Sequence, residues 1–179
     1  MKTLSLRLLT LFIIGLVSIT GLKAQSTDKS KRPSPPAMAT GKIGEANITI
    51  DYSSPSVKGR KIFGGLEPYG KVWRAGANEA TTISTDKDIT VGGKTLKAGK
   101  YSFFATPGET EWTVFFNSET GQWGTKKGGE TNMDATKTVV SLPVAVKKLD
   151  QLVEKLEYVV SKNGIELRWE YASIFIEVK

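Results

Sequence analysis

The chain has 179 residues, 25 basic and 18 acidic side chains, a formal net charge of +7, and neither histidine nor cysteine. These two absences exclude Ser-His-Asp relays, histidine general acid–base catalysis, thiol nucleophiles, and metal sites built on imidazole or thiolate, so we expect no metal and no cofactor. In residues 41–179, 19 basic side chains face 17 acidic ones, and this near balance argues against a nucleic-acid partner.

Residues 1–24 have the pattern of a secretory signal peptide. Lys2 and Arg7 precede an apolar run that ends near Ile19, and Ala24 offers a small residue for cleavage before Gln25. The run is shorter than the ~20 residues of a bilayer-spanning helix, so we expect no transmembrane segment after cleavage and a periplasmic or secreted protein. A retained N-terminal anchor is the alternative.

Residues 25–40 are rich in Ser, Pro and Lys and have no apolar periodicity. This composition predicts a disordered linker, and we expect a solvated tether; contact with an anionic membrane or wall surface is the alternative. Residues 41–179 have the size of a single domain with its own core.

The domain has the pattern of an antiparallel β protein, with short alternating or β-branched runs separated by glycine and proline turns. Glycine pairs and Asn-Gly mark two tight hairpins. The pattern predicts a β-sandwich, with a jelly roll as one arrangement. The predicted strands lie around Ile48–Tyr52, Glu79–Thr85, Ile89–Val91, Lys94–Leu96, Tyr101–Thr106, Trp112–Asn117, Thr138–Val146, Leu156–Lys162, Ile165–Tyr171 and Ile174–Val178.

Adjacent aromatic pairs at Phe103-Phe104 and Phe115-Phe116 point to opposite faces of their strands, which predicts strands buried on both faces or an outer face capped by a loop. One segment conflicts with the β pattern, because five apolar residues from Val146 to Val160 share a helical face. We favour the Asn-Gly hairpin there and expect Lys147–Glu154 to be a loop or the chain's only helical turn.

The segment D-Y-S-S-P-S-V-K-G-R-K-I-F-G-G from Asp51, followed by Y-G-K-V-W-R from Tyr69 and N-E-A-T-T from Asn78, resembles the domain-of-unknown-function family 2911. Members of that family are secreted bacterial proteins. The resemblance implies a single secreted β domain over most of residues 41–179 and brings no established activity.

The Lys71–Thr82 stretch mixes aromatic and charged side chains around one glycine, as ligand sites do. The structural interpretation is a fold corner where Gly76 and Asn78 adopt conformations disfavoured for other residues, and Arg74 either pairs with Glu79 or Asp51 or stacks on an aromatic ring. The functional interpretation is a ligand site. Its candidate residues are Arg60, Tyr69, Trp73, Arg74, Asn78, Glu79 and Trp123.

These observations favour a non-catalytic binding or accessory module of the cell envelope that recognises a glycan, a peptide or a partner protein, and they assign no catalytic residue. The alternative is a carboxylate-dependent hydrolase of envelope polysaccharide, which needs two acids roughly 5–9 Å apart. A third hypothesis is a structural protein that adds an edge strand to a partner. The candidate acids are Asp51, Glu67, Glu79, Glu109 and Glu111.

Overall fold

The computed structural model describes residues 28–179, so the predicted signal peptide and the start of the predicted linker lie outside the described residues. The structure contains two three-residue 3-10 turns, at Lys29–Lys31 and Ala135–Lys137. The sequence predicted at most one helical turn and placed it within Lys147–Glu154. No helix within the described range is long and apolar enough to cross a membrane. The strands are β1 Pro36–Ile43, β2 Ala46–Ser53, β3 Thr81–Thr85, β4 Ile89–Val91, β5 Lys94–Leu96, β6 Gly99–Thr106, β7 Glu111–Asn117, β8 Thr138–Ser161 and β9 Gly164–Glu177.

Seven strands form one antiparallel sheet in the order β1-β2-β3-β6-β7-β8-β9, and β4 and β5 form a separate hairpin. The predicted all-β class and antiparallel pairing are confirmed. Apart from the β4–β5 excursion, each strand pairs with its neighbour in sequence, so the sheet is a meander and lacks the crossing connections of a jelly roll.

The sheet curls until its two ends approach each other. A β-carbon on Gly41 of β1 would lie 2.7 Å from Cγ1 of Val160 in β8, so the backbone of β1 packs directly on that side chain. Residues 55–57 also bond to β8: Leu156 N donates to Pro55 O at 2.9 Å and Val57 N to Glu154 O at 2.8 Å. The result is a nearly closed, barrel-like sheet around one core.

The prediction of a loop or helical turn over Lys147–Glu154 is wrong, because β8 continues as a strand through that segment. Its first part pairs with β7 and its second part with β9. Two register shifts, before and after Val153, change which face the side chains occupy and so break the alternation expected of a regular strand. This is why the apolar spacing resembled that of a helix.

The predicted hairpin between the last two strands is confirmed, but its turn differs by one residue. Ser161 already pairs with Gly164, so the two turn residues are Lys162 and Asn163. The predicted interruption of the final strand is absent as well, since β9 runs unbroken from Gly164 to Glu177.

The end of the predicted linker is also corrected. Residues 36–40 belong to β1, whose whole length pairs with β2 from Pro36↔Ser53 to Ile43↔Ala46. A proline is tolerated at the first residue of an edge strand, where no ladder hydrogen bond from its nitrogen is needed. The order of this segment comes from pairing with the next strand, which composition does not report.

The core contains a cluster of four aromatic rings from Phe63, Trp73, Trp112 and Trp169, in which Trp73 and Trp169 stack with centroids 5.8 Å apart. Phe103 packs edge-on against Phe116 inside the barrel. These buried aromatic surfaces dominate the core energetically.

Both faces of β6 are covered, as the adjacent phenylalanines predicted. Phe104 is buried although it points away from the inner core. It shares its face with Ser102, whose hydroxyl donates to Gln122 in the loop between β7 and β8. That loop therefore caps the outer face of the sheet.

Candidate functional site

Two long loops build the candidate site: residues 54–80 between β2 and β3, and residues 118–137 between β7 and β8. Glu79 and Trp123 form an isolated antiparallel bridge across them. Ala80 N donates to Gln122 O at 3.2 Å and Gly124 N to Asn78 O at 3.0 Å. The bonds fix the register of the two loops, so their side chains form one surface.

The turn that carries Arg74 differs from its predicted conformation. Asn78 has a positive φ of 60°, as predicted, but Ala75 rather than Gly76 is the second residue with positive φ, at 50°. Gly76 is needed for space, because a β-carbon there would lie 2.6 Å from Oγ1 of Thr81. Trp73 Nε1 donates to Gly76 O at 3.1 Å and closes the turn.

Trp73 and Trp123 have opposite environments. The Trp73 ring is 3% exposed and belongs to the aromatic cluster, so it supports the loop from below and offers no flat surface to a ligand. The Trp123 side chain is 48% exposed. Of the two candidate tryptophans, only Trp123 presents its ring outward.

A cleft of about 550 Å³, here called the Arg74 cleft, opens between the two loops. Gly124 forms a flat support for the arginine, because a β-carbon there would lie 2.0 Å from Cδ of Arg74. The aliphatic stem of Arg74 therefore lies directly against the backbone of Gly124. The cleft is bordered by Leu66, Glu67, Pro68, Val72 and Arg74 on one loop and by Thr125, Glu130 and Thr131 on the other.

The charged groups of the Arg74 cleft are partly removed from water. Burial lowers the pKa of Arg74, an effect that Glu67 opposes, and the Nε of Arg74 is buried without a hydrogen-bond partner among residues 28–179. Burial also raises the pKa of Glu67 to about 7, although the charges of Arg74 and Arg60 act in the other direction. The net charge of the cleft therefore changes near neutral pH.

Glu79 has a different environment, and the predicted pairing of Arg74 with Glu79 or Asp51 is wrong. Arg32 Nη1 donates to both carboxylate oxygens of Glu79, at 3.0 and 2.9 Å, and Lys29 Nζ lies 2.9 Å from Oε1. Asp51 instead pairs with Lys100 at 3.3 Å. The cations of Glu79 come from the segment before β1, which the sequence had placed in a disordered linker.

The surroundings of Glu79 complete a second site, here called the Glu79 site, made of Asn78, Glu79 and Trp123. Asn78 Nδ2 donates to Ser34 O at 2.9 Å, and Arg32 Cζ lies 5.8 Å from the Trp123 ring centroid. Partial burial would raise the pKa of Glu79, but hydrogen bonds from Lys29, its own backbone and Arg32 outweigh it and lower the pKa to about 2. This carboxylate is ionised throughout the physiological range.

Comparison with family models assigns the chain to a family. Residues 34–178 match the model of the protein family of unknown function DUF2911. The chain belongs to the DUF2911 family. Searches of curated proteins and of solved structures found no match to the chain. The match begins at residue 34, so the DUF2911 domain contains both loops but not Lys29 or Arg32.

The two remaining candidates in the DUF2911 domain have supporting positions. Arg60 donates from Nε to Val57 O at 3.0 Å and from Nη2 to Ser56 O at 2.7 Å, so it closes its own turn. The Tyr69 ring lies over Gly64, where a β-carbon would come within 2.6 Å of Cε2. Neither residue is among those that border the Arg74 cleft.

The structure thus divides the seven candidate residues of the DUF2911 domain into an Arg74 cleft, a Glu79 site and a set of supports. Sequence reasoning missed Glu67 as a partner of Arg74, although Glu67 was among the acids considered for hydrolysis. It also missed Gly124, and the only signal was the glycine directly after Trp123.

Proposed function

We propose that the DUF2911 domain of this protein is a non-catalytic binding module of the cell envelope that holds a small anionic ligand in the Arg74 cleft. The observation that carries this proposal is the buried Nε of Arg74, which has no acceptor within residues 28–179. Nε has almost no accessible surface, so a ligand oxygen in the cleft is expected to accept from the terminal nitrogens of the same guanidinium, and a hydrogen bond to a charged group contributes about 1.5–3 kcal/mol.

The shape of the Arg74 cleft supports a ligand of the size of one sugar ring or a dipeptide. A volume of about 550 Å³ is typical of small-ligand sites, which combine apolar walls with a few polar groups. Leu66, Pro68 and Val72 supply the apolar side. Because guanidinium groups bind carboxylates in a two-bond geometry, we propose a carboxylated sugar or the terminal carboxylate of a peptide as the ligand class.

Glu67 supplies a pH dependence to this binding. Above about pH 7 the carboxylate is ionised and compensates the charge of Arg74, whereas below that pH it is protonated and leaves the guanidinium free to attract an anion. Anion binding is therefore expected to strengthen as the pH falls through 7.

The proposed location in the envelope rests on the signal-peptide pattern of residues 1–24. Bacterial envelopes contain both carboxylated glycans and peptides with free carboxylates. A binding module with an arginine in its cleft fits either class of ligand.

A carboxylate-dependent hydrolase is the second candidate function. Its support is Glu67, which stays protonated up to about pH 7, as a general acid must, and Glu130, which borders the same cleft. Asp51 and Glu79 are held by cations elsewhere. We favour binding because Glu130 is exposed and its carboxylate makes no hydrogen bond to residues 28–179, so nothing orients it as a base.

Titration calorimetry at pH 6 with glucuronate and with the dipeptide N-acetyl-Ala-Ala tests the proposal, with glucose and the N-acetyl dipeptide amide as neutral counterparts. The charged members of each pair are expected to bind, and Arg74→Gln is expected to abolish their binding. Lys71→Gln removes the same charge from an exposed residue of the same cleft and is expected to retain most of it.

Equal affinity for charged and neutral probes, absence of binding by both charged probes, or equal losses in the two variants would contradict the binding proposal. Release of sugar from a uronic acid disaccharide by the wild-type chain, lost in Glu67→Gln, would instead establish the hydrolase.

A further inference from the structure

The Glu79 site is filled by the chain itself. The segment Asp28–Pro35, here called the N-terminal segment, lies against it and contributes Lys29, Arg32 and the carbonyl of Ser34. These three contacts join the segment to residues that lie 44 to 50 positions further along the chain. A long-range set of polar contacts therefore holds the segment before the first strand.

The contacts are of the kinds that proteins use to recognise basic peptides. A carboxylate accepts two hydrogen bonds from an arginine, an exposed indole ring lies near the same guanidinium, and an amide donates to a peptide carbonyl. Together they recognise a lysine, an arginine three residues later and a backbone carbonyl two residues after that. The site is specific for a sequence pattern as well as for charge.

The N-terminal segment is held by these polar contacts with little apolar burial. Its 3-10 turn contains no buried residue, and the side chains of Lys29 and Glu79 are 56% and 37% exposed. Exposed ion pairs contribute about 0–1 kcal/mol each and weaken with salt. A peptide with the same pattern and additional contacts is able to displace the segment.

Additional contacts are available beside Glu79. A cavity of about 460 Å³ extends from Glu79 past Pro36 to Asp51 and Tyr52, with Gln122 on its other side. Asp51 provides a second carboxylate there, at present paired with Lys100. The cavity has room for residues of a ligand that is longer than the N-terminal segment.

The extent of the family match separates the site from its occupant. The match starts at residue 34, so it includes Asn78, Glu79 and Trp123 and excludes Lys29 and Arg32. The recognising groups belong to the domain, whereas the recognised cations come from the segment that precedes it.

We propose that the Glu79 site is a receptor for a basic segment of a partner protein, with lysine and arginine three residues apart, and that the N-terminal segment is its resident competitor. The inference does not depend on the proposed function, because it concerns a different site from the Arg74 cleft. Partner binding requires release of the N-terminal segment. The segment therefore lowers the affinity of the Glu79 site for the partner.

Binding of a labelled synthetic peptide with the sequence of residues 28–35, measured by fluorescence anisotropy at low salt, tests the inference. In the full chain, Lys29→Ala/Arg32→Ala removes the competitor's side chains and is expected to bind the peptide at least tenfold more tightly than wild type. Adding Glu79→Gln to this variant is expected to reverse the gain.

Lys31→Ala is the matched control, because Lys31 carries the same charge in the same segment but contacts Asp28 at 3.5 Å. It is expected to bind the peptide like wild type. If circular dichroism shows that the double variant folds poorly, Arg32→Gln alone replaces it in the comparison of peptide affinity with wild type.

A folded competitor-free variant that binds the peptide no better than wild type would overturn the inference. Retention of binding after Glu79→Gln would overturn it too, because attraction would then be unspecific. A wild-type dimer in sedimentation equilibrium that Lys29→Ala/Arg32→Ala dissociates would assign the site to a second copy of this chain and contradict a separate partner protein.

Discussion

The Arg74 cleft and the Glu79 site are built from the same two loops, yet their carboxylates behave in opposite ways. Glu67 is half-buried and its pKa is raised to about 7, even though two arginine charges oppose the shift. Glu79 accepts direct hydrogen bonds from Arg32 and Lys29, and its pKa is lowered to about 2. Direct hydrogen bonds from cations therefore outweigh desolvation, whereas arginine charges without such bonds do not.

The comparison also separates an arginine whose charge is available to a ligand from one that already pairs with a carboxylate of the protein. The buried Nε of Arg74 has no hydrogen-bond partner in the described part of the chain, while Arg32 uses its guanidinium to hold Glu79. A cation of the first kind is suited to bind a ligand, and one of the second kind is suited to fix a segment. The following variants test this division, in order of decreasing expected effect.

The two tryptophans of these loops are expected to differ most. Trp73→Ala removes a ring from the buried aromatic cluster and is expected to lower the free energy of unfolding by about 3–5 kcal/mol. Trp123→Ala removes an exposed ring and is expected to cost less than about 1 kcal/mol. Chemical denaturation measures both, and equal losses would contradict the separation of core from surface.

Gly124→Ala is expected to destabilise the protein by about 1–3 kcal/mol, because its β-carbon would overlap the stem of Arg74. The two loops would have to separate, so binding of glucuronate in the Arg74 cleft is expected to fall as well. Thr125→Ala is the control at the next residue. A wild-type melting temperature in Gly124→Ala would show that the contact is not fixed.

Glu67→Gln is expected to alter the pH dependence of stability. The folded pKa of about 7 lies above the ordinary glutamate value of 4.5, so the stability linked to the protonated form is complete below pH 4.5 and is lost as the pH rises through 7. After a discount for partial solvent exposure, the loss is about 1–2 kcal/mol. Relative to wild type, Glu67→Gln is therefore expected to be more stable at pH 8, with little difference at pH 4.5, in denaturation at both pH values.

Glu79→Gln is expected to have the smallest effect on global stability, below about 1 kcal/mol, because its ion pairs are partly exposed. Its effect should be local: the N-terminal segment loses its anchor and becomes more susceptible to trypsin after Lys29 and Lys31. The lowered pKa predicts the same release in wild type only as the pH falls below 4.5 towards 2. Unchanged cleavage rates in the variant would contradict the anchoring role.

The sequence predicted the β class and most strands because period-2 alternation and glycine turns are local signals. The β4–β5 hairpin and the strands β6 and β7 are close to their predicted positions. The central part of β8 was mistaken for a loop or helical turn because its register shifts are set by pairing with β9. The pairing of β1 with β2 was missed for the same reason, since it depends on a partner and not on the composition of β1.

The candidate site could be predicted only in part. The residue types around Arg74 and Glu79 indicated a polar loop, but the spacing gave no means of placing Glu67 near Arg74 or of pairing Glu79 with Arg32 across 47 positions. Such pairs follow from the closure of the sheet and the bridge between Glu79 and Trp123. Long-range partners of charged residues are not encoded in local patterns.

The most direct test of the account is the pH profile of glucuronate affinity for the wild-type chain and for Glu67→Gln between pH 5.5 and 8.5. The central claim is that Arg74 holds a cationic charge whose availability Glu67 controls, so wild-type affinity should fall as the pH rises through about 7. The affinity of Glu67→Gln should stay nearly constant over this range. Parallel profiles for the two proteins, or a wild-type affinity that rises with pH, would contradict the account.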